Sequence, residues 1–189
     1  MLGETEGAMR LSDLTEHRPL PPVEETGHTF TANACLKAGA YARSLGMWTL
    51  ADDSGLAVDA LAGKPGVHSA RWAEMNGSGR GDADNNALLL RQLARVPDDR
   101  RTARFVCALV LADPKGRIVL LASDSVEGRI LHQPRGAGGF GYDPLFQIDV
   151  LGRTTAELPP EEKHRISHRG KALRRLKGLI DRAGLAHHD

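Results

Sequence analysis

The sequence predicts a single α/β domain, and three observations carry that expectation. Stretches with apolar residues at helical spacing alternate with β-branched runs. Two of those runs, Arg104 to Ala112 and Arg117 to Ile130, are joined by Asp113-Pro114-Lys115-Gly116, a tight-turn sequence that makes them an antiparallel hairpin. A chain of 189 residues is long enough for one substantial core and too short for two independently folding ones. Part of the sheet is therefore antiparallel, and the strict strand–helix alternation of a dinucleotide-binding domain is not expected.

The elements follow in order. Met1 to Glu25 reads as loop, ending in Leu20-Pro21-Pro22-Val23-Glu24-Glu25, an extended approach because prolines fix φ and push their predecessors out of the helical region. Thr29 or Thr31 is placed to cap a helix whose body, Ala34 to Leu45, carries Ala, Leu, Lys and Arg at helical spacing, with Gly46 as its left-handed stop. Trp48-Thr49-Leu50-Ala51 reads as a short buried strand running into Asp52-Asp53-Ser54-Gly55, which sets carboxylates at a strand end. A second helix is expected from about Asp84 to Val96, with Leu88, Leu89, Leu90 and Leu93 as its apolar stripe and Pro97 at its exit. Beyond the hairpin, Pro160 with Glu161 and Glu162 fits a helix N-terminus, and Ser167 is placed to cap a final basic helix from His168 to about Ala183.

Composition excludes several classes. Hydrophobic residues make up 41% and charged residues 26%, which is neither a disordered tail nor a membrane bundle. Lys and Arg total 25 against 24 Asp and Glu, so no global positive field draws the chain to nucleic acid, and an anionic ligand must be held by local charge. A small-molecule partner is expected. No run of eighteen apolar residues occurs, and the first thirty residues lack the basic-then-apolar pattern of a secretion signal, so neither membrane nor export is expected. Cys35 and Cys107 have no partner at metal-binding or redox spacing; they read as two buried thiols in a reducing cytoplasm.

Four groups of residues can carry chemistry. Glu25, Asp52 and Asp53 are hard oxygen donors suited to Mg²⁺, although an acidic pair beside Ser54-Gly55 equally suits a turn or cap. Asp59 reads as a surface or capping residue. Gly136-Ala137-Gly138-Gly139-Phe140-Gly141 matches the glycine string of dinucleotide-binding proteins, but Tyr142-Asp143-Pro144-Leu145-Phe146 follows where that motif requires a helix. The same glycines permit close approach to a ligand, with Phe140 or Tyr142 as a flat face for a base, or they form a plain turn. Lys163, His168 and Arg169 flank a helix break and can present donors to carbonyl or phosphate oxygens. Arg174, Arg175 and Lys177 extend the basic run, as a solvated face or a weak RNA contact. His164 and His168 lack the third ligand that a zinc site needs.

Glu24-Glu25-Thr26-Gly27 with Thr29-Phe30, Asn33-Ala34 and Leu36-Lys37-Ala38 resembles the opening motif of the inosine triphosphate pyrophosphatase family. Ala51-Asp52-Asp53-Ser54-Gly55-Leu56, the run Gly63 to Arg71, the run Gly138 to Phe146, Ala156-Glu157-Leu158 and Ser167-His168-Arg169 resemble its later motifs, in order and at its separations. The resemblance spans Pro22 to Leu179. It implies an elongated, two-lobed α/β fold with a long mixed β-sheet flanked by helices, a central active-site cleft and a homodimer. It also implies Mg²⁺-dependent hydrolysis of non-canonical purine nucleotides (ITP, dITP, XTP) to monophosphate and pyrophosphate, which keeps them out of DNA and RNA. By the same resemblance Asp53 is general base and metal ligand, with Glu25 and Asp52 as further metal ligands. Ser54, Phe140, Gly141, Tyr142, Asp143, Lys163, His168 and Arg169 are the implied substrate contacts. Family members begin with a short strand, a Thr-x-Asn-x-x-Lys phosphate loop and a helix, and Met1-Leu2-Gly3 would align near the end of that helix. The rival expectation is accordingly a catalytically impaired protein that still binds nucleotide or a partner.

Overall fold

In the computed structural model, residues 12–17 and 19–185 are described; the expected alignment of Met1-Leu2-Gly3 falls outside them. After a 3-10 turn at Leu14–Glu16 and an extended approach, helix α1 spans Phe30–Leu45. Thr29 is its cap, accepting from the Ala32 N–H, so Thr31 lies inside the helix; Gly46, at φ 66°, ends it.

Strand β1 spans Thr49–Val58, and this corrects the expected short buried strand. Asp52 and Asp53 stand within the strand, because ten consecutive residues of β1 pair with β2, Thr102–Ala112, and ladder bonding overrides the poor strand propensity of Asp, Ser and Gly. Trp48 is exposed and precedes the strand. Strand β3, Ile118–Ile130, completes the expected hairpin around the Asp113–Gly116 turn, closed by a 2.8 Å bond from the Gly116 N–H to the Asp113 carbonyl. Two short strands, β4 (Phe146–Ile148) and β5 (Arg153–Thr154), extend the sheet in the order β1-β2-β3-β4-β5. Among the described residues every pairing is antiparallel, whereas a mixed sheet was expected. Each strand lies beside its predecessor in the chain, an arrangement that reverses direction at every step.

Strand alternation sorts the core into layers. Ala108, Val110 and Ala112 of β2 pack on Ala34, Ala38 and Ala42 of α1. Cys107, Leu109 and Ala122 face the other way, onto Ala172 and Leu176 of helix α5, His168–Ala183. The far end of the long strands is filled by Leu56, Val58, Phe105, Val126, Tyr142 and Phe146, with Leu89 and Leu93 beside them. Leu89 lies on helix α3, Asp82–Gln92, which is shorter than the expected Asp84–Val96, since Leu93 already departs from helical geometry. A four-residue helix, α2 (Trp72–Met75), packs against α3, and α4 (Pro160–Ile166) leads into α5, which Ser167 caps through the Gly170 N–H.

Arg101 ties these parts together. It is 2% exposed, and its guanidinium donates to the carbonyls of Leu93 at 2.7 Å, Ile130 at 2.7 Å and Leu131 at 2.9 Å. Replacing it removes three charge-assisted bonds and takes this donor from the Ile130 and Leu131 carbonyls, while the Leu93 carbonyl keeps the Val96 N–H at 3.0 Å. Arg101→Met is expected to lower unfolding free energy by about 3 kcal/mol or more, read from the urea midpoint; a loss below about 1 kcal/mol would contradict this account.

Candidate active site

The consecutive carboxylates of β1 point to opposite faces of the sheet. Asp53 lies opposite Ala108, on the α1 side, and Asp52 opposite Leu109, on the α5 side. Asp53 is 8% exposed; its Oδ1 accepts from Lys37 Nζ at 2.9 Å and its Oδ2 from Asn33 Nδ2 at 3.4 Å. Lys37 Nζ also reaches Glu25 Oε1 at 2.8 Å, so one ammonium is held between two carboxylates. Asn33 and Lys37 are one turn apart on α1, which brings both to the strand. Asn33 Oδ1 accepts from the Gly27 N–H at 2.8 Å, and a Cβ on Gly27 would sit 2.6 Å from that oxygen, so only glycine lets the Glu25 segment lie this close to α1.

Burial raises the pKa of Asp53 above the ordinary carboxyl value, with the Lys37 ammonium opposing it. Burial alone would lower the pKa of Lys37, but its hydrogen bonds to Glu25 and Asp53 outweigh that and the pKa is raised. Spacing alone assigned no role to Asn33 or Lys37. The usable signal was their i,i+4 separation on a capped helix next to an acidic segment.

On the α5 side, a cavity of about 350 Å³ is lined by Ser54, Phe105, Phe140, Tyr142, Lys163, His168 and Arg169, among others. The Arg169 guanidinium grips Asp52 Oδ2 through Nε at 3.0 Å and Nη2 at 2.7 Å, and Nη2 also donates to Ser54 Oγ at 3.0 Å. The His168 ring stacks on Phe105, with centroids 5.0 Å apart and an angle of 17°. Burial, with Arg169 next in weight, pulls the His168 pKa down to about 4, so the imidazole is neutral at pH 7. Its Nδ1 is buried with no hydrogen-bond partner.

The glycine-rich run forms one wall without starting a helix. Asp143 lines the cavity, yet its carboxylate is engaged: it accepts from the Phe140 N–H at 2.8 Å and Thr155 Oγ1 at 2.8 Å, and pairs closely with Lys163. Gly139, at φ 76°, could carry no Cβ, which would collide with that carboxylate. Gly141 is clamped by α3: its N–H donates to Asp82 Oδ2 at 2.6 Å and its carbonyl accepts from Asn86 Nδ2 at 2.9 Å. The Tyr142 hydroxyl donates to the Ser69 carbonyl at 2.9 Å, while Phe140 is 66% exposed, with Lys163 Nζ 5.1 Å from its ring centroid. Phe140 is thus the open flat face and Tyr142 the buried one.

The three expected metal ligands do not converge. Among the described residues, no group of three or more His, Cys, Asp or Glu side chains is placed to hold a metal ion. Glu25 and Asp53 meet at Lys37, and the pleat of β1 turns Asp52 away to Arg169. A second cavity, about 360 Å³, opens beside α1 and the start of β1, bordered by Lys37, Tyr41, Trp48 and Asp52, among others. Asp59 is a surface residue that accepts from Thr102 Oγ1 at 2.6 Å and Arg104 Nη2 at 2.8 Å.

A model of the Ham1 family matches residues 1–179. The chain belongs to the Ham1 family. A dITP/XTP pyrophosphatase of Geobacillus kaustophilus is 52% identical over 168 residues, covering 89% of this chain and 80% of the relative. The solved structure of a HAM1 protein from Coxiella burnetii is 42% identical, with a TM-score of 0.79 and coverage of 86% of this chain and 81% of that one. A nucleoside-triphosphatase, dITP/XTP pyrophosphatase, from Mycobacterium abscessus is 48% identical, with a TM-score of 0.74 and coverage of 88% and 83%. The α/β fold read from the sequence is that of the Ham1 structures. No helix among the described residues is long and apolar enough to cross a membrane.

The neutral His168 of this Ham1 chain makes stability depend on pH. With a folded-state pKa near 4 against about 6.5 unfolded, the proton binds preferentially to the unfolded chain, so the contribution is complete above pH 6.5 and is lost as pH falls toward 4. The total loss is on the order of 3 kcal/mol. Urea midpoints from pH 7 to 4.5 should fall more steeply for the wild type than for His168→Gln; equal slopes would remove His168 as the cause.

Proposed function

We propose that this Ham1-family chain is a nucleoside triphosphate pyrophosphatase that hydrolyses non-canonical purine nucleotides, ITP, dITP and XTP, to the monophosphate and pyrophosphate. The observation that carries the reading is the division of labour across β1. An aromatic cavity bearing Arg169 and neutral His168 lies on one face, and a buried carboxylate clustered with Lys37 and Glu25 lies on the other. Among the described residues β1 is an edge strand, paired along its length with β2 and bridged at Ala57 to Pro65, so both faces of one strand contribute groups to the site. The relatives named dITP/XTP pyrophosphatase, near half identical over most of the chain, support the same reading.

In this reading the purine lies against Phe140 and beneath the His168–Phe105 stack, with the Arg169 guanidinium toward its 6-position. A 6-oxo group accepts from that donor, whereas adenine presents an amino donor there, and the mismatch costs about 1 to 3 kcal/mol. Lys163, held by Asp143, lines the cavity beside the Phe140 ring. Asp53, whose burial raises its proton affinity, takes the proton of the attacking water as the bond between the α-phosphorus and the bridging oxygen breaks and pyrophosphate leaves. Lys37 and Asn33 orient that carboxylate.

Mg²⁺ belongs to the proposal. The donor set fits it: two hard carboxylates, Glu25 and Asp53, already converge on a cation, the Lys37 ammonium, and Mg²⁺ is commonly held by one or two carboxylates with substrate phosphates. When bound it would offset phosphate charge and favour departure of pyrophosphate. A homodimer and a cytoplasmic setting complete the reading, the latter supported by the unpaired thiols of Cys35 and buried Cys107.

Pyrophosphate release from ITP, dITP, XTP, ATP and GTP tests it, with and without Mg²⁺. Metal-dependent turnover of the first three is expected, at least about tenfold above ATP. Asp53→Asn should keep the fold and lose about a hundredfold or more in kcat. Folded wild-type protein that releases pyrophosphate from none of the five would reject the hydrolase reading.

A further inference from the structure

Asp52 is the carboxylate that the Glu25–Asp53 cluster leaves out. Its side chain is 40% exposed, it borders the cavity that also contains Lys37, and its Oδ2 takes both the Nε and Nη2 hydrogens of Arg169, which borders the opposite cavity. Ser54, on the same face of β1, takes a second bond from Nη2. Two bonds to one carboxylate oxygen and one to a hydroxyl fix the plane of the guanidinium and leave Nη1 with no such tie to β1. An arginine that began its binding without those ties would lose rotamer freedom on meeting a ligand. Arg169 is instead held in advance by groups 117 and 115 residues earlier in the chain.

We propose that Asp52 is a positioning residue for purine selection: it orients Arg169 toward the 6-position of the base and does not serve as a metal ligand. The inference rests on the nucleotide reading above. It assigns neighbouring residues of one strand to the two ends of the substrate, Asp53 to the phosphates and Asp52, through Arg169, to the base. Loss of the Asp52 charge frees the guanidinium, so affinity for a 6-oxo purine falls while the Glu25–Asp53 pair is untouched.

The test measures binding of IMP and AMP by calorimetry without divalent cation, alongside the Mg²⁺ half-saturation of ITP turnover. Wild type should prefer IMP. Asp52→Asn should weaken IMP about tenfold or more and bring the two affinities together, because a charge-assisted pair is lost, and leave the Mg²⁺ half-saturation unchanged. Asp52→Glu, which keeps the charge, should retain much of the preference. Arg169→Lys should match Asp52→Asn, and the double variant should be no worse than either; if Asp52→Asn does not fold, Arg169→Lys carries the test. Equal affinity of wild type for IMP and AMP overturns the inference. So does an unchanged IMP preference in the variants, or an Asp52→Asn shift in Mg²⁺ half-saturation like that of Glu25→Gln. Absence of turnover in the wild type rejects the hydrolase reading alone, since IMP binding still decides the role of Asp52.

Discussion

The pleat of β1 at Asp52–Asp53 is the constraint from which the site's geometry follows. Successive strand residues face opposite ways, so two adjacent carboxylates cannot serve one centre while both remain in the ladder. Ten paired positions with β2 hold them there. A shift of one residue in that register would exchange the two faces, sending Asp53 toward α5 and Asp52 toward α1. The packing on each side opposes the shift: alanines of α1 lie flat against Ala108 and Val110, and the larger Leu109 needs the space beneath α5.

The site is held by paired charges. Lys37 lies between Glu25 and Asp53, Arg169 holds Asp52, and Lys163 holds Asp143. Bringing these groups out of water one at a time would be costly; each partner reduces the penalty of the other and fixes its direction. These pairs set four carboxylates against three cations, so the site carries no excess of positive charge of its own, and the proposed Mg²⁺ would supply the charge that offsets an anionic ligand. Each of the three cations is oriented by a local carboxylate, and polar ties such as Ser54, Asn33 and Thr155 constrain the geometry further.

Local signals were legible in the sequence, and contacts between distant segments were not. The Thr29 cap, the Gly46 stop, the Asp113–Gly116 turn and the Ser167 cap each depend on a few neighbouring residues, and each stands where it was read. The choice between Thr29 and Thr31 turned on backbone geometry that spacing does not encode. Asp-Asp-Ser-Gly looked like the end of a strand because its intrinsic preference is for turns; pairing along β2 overrode it. The antiparallel order of the five strands among the described residues was hidden for a related reason, since β4 and β5 have three and two residues, too few to show a period. The resemblance named Glu25, Asp52 and Asp53 together, but it could not say that Asp52 and Glu25 belong to different faces, or that Asn33 and Lys37 hold the Asp53 carboxylate.

The cavity on the α5 side shows why its walls come from such separated segments. Its glycine-rich side has no regular hydrogen-bonded structure of its own, so its shape must be imposed from outside. α3 grips both sides of the Gly141 peptide, Ser69 receives the Tyr142 hydroxyl, and Asp143 anchors the Phe140 N–H while binding Lys163 of α4. Those ties come from elements on either side of the cavity, so the run bridges them. In the proposed reading a base inserted against Phe140 meets a wall already fixed by these contacts, and the ordering cost has been met in folding. The proposed discrimination between an oxo and an amino group depends on this rigidity. A wall free to retreat by an ångström would let water satisfy the mismatched donor, and most of the penalty for the wrong purine would disappear.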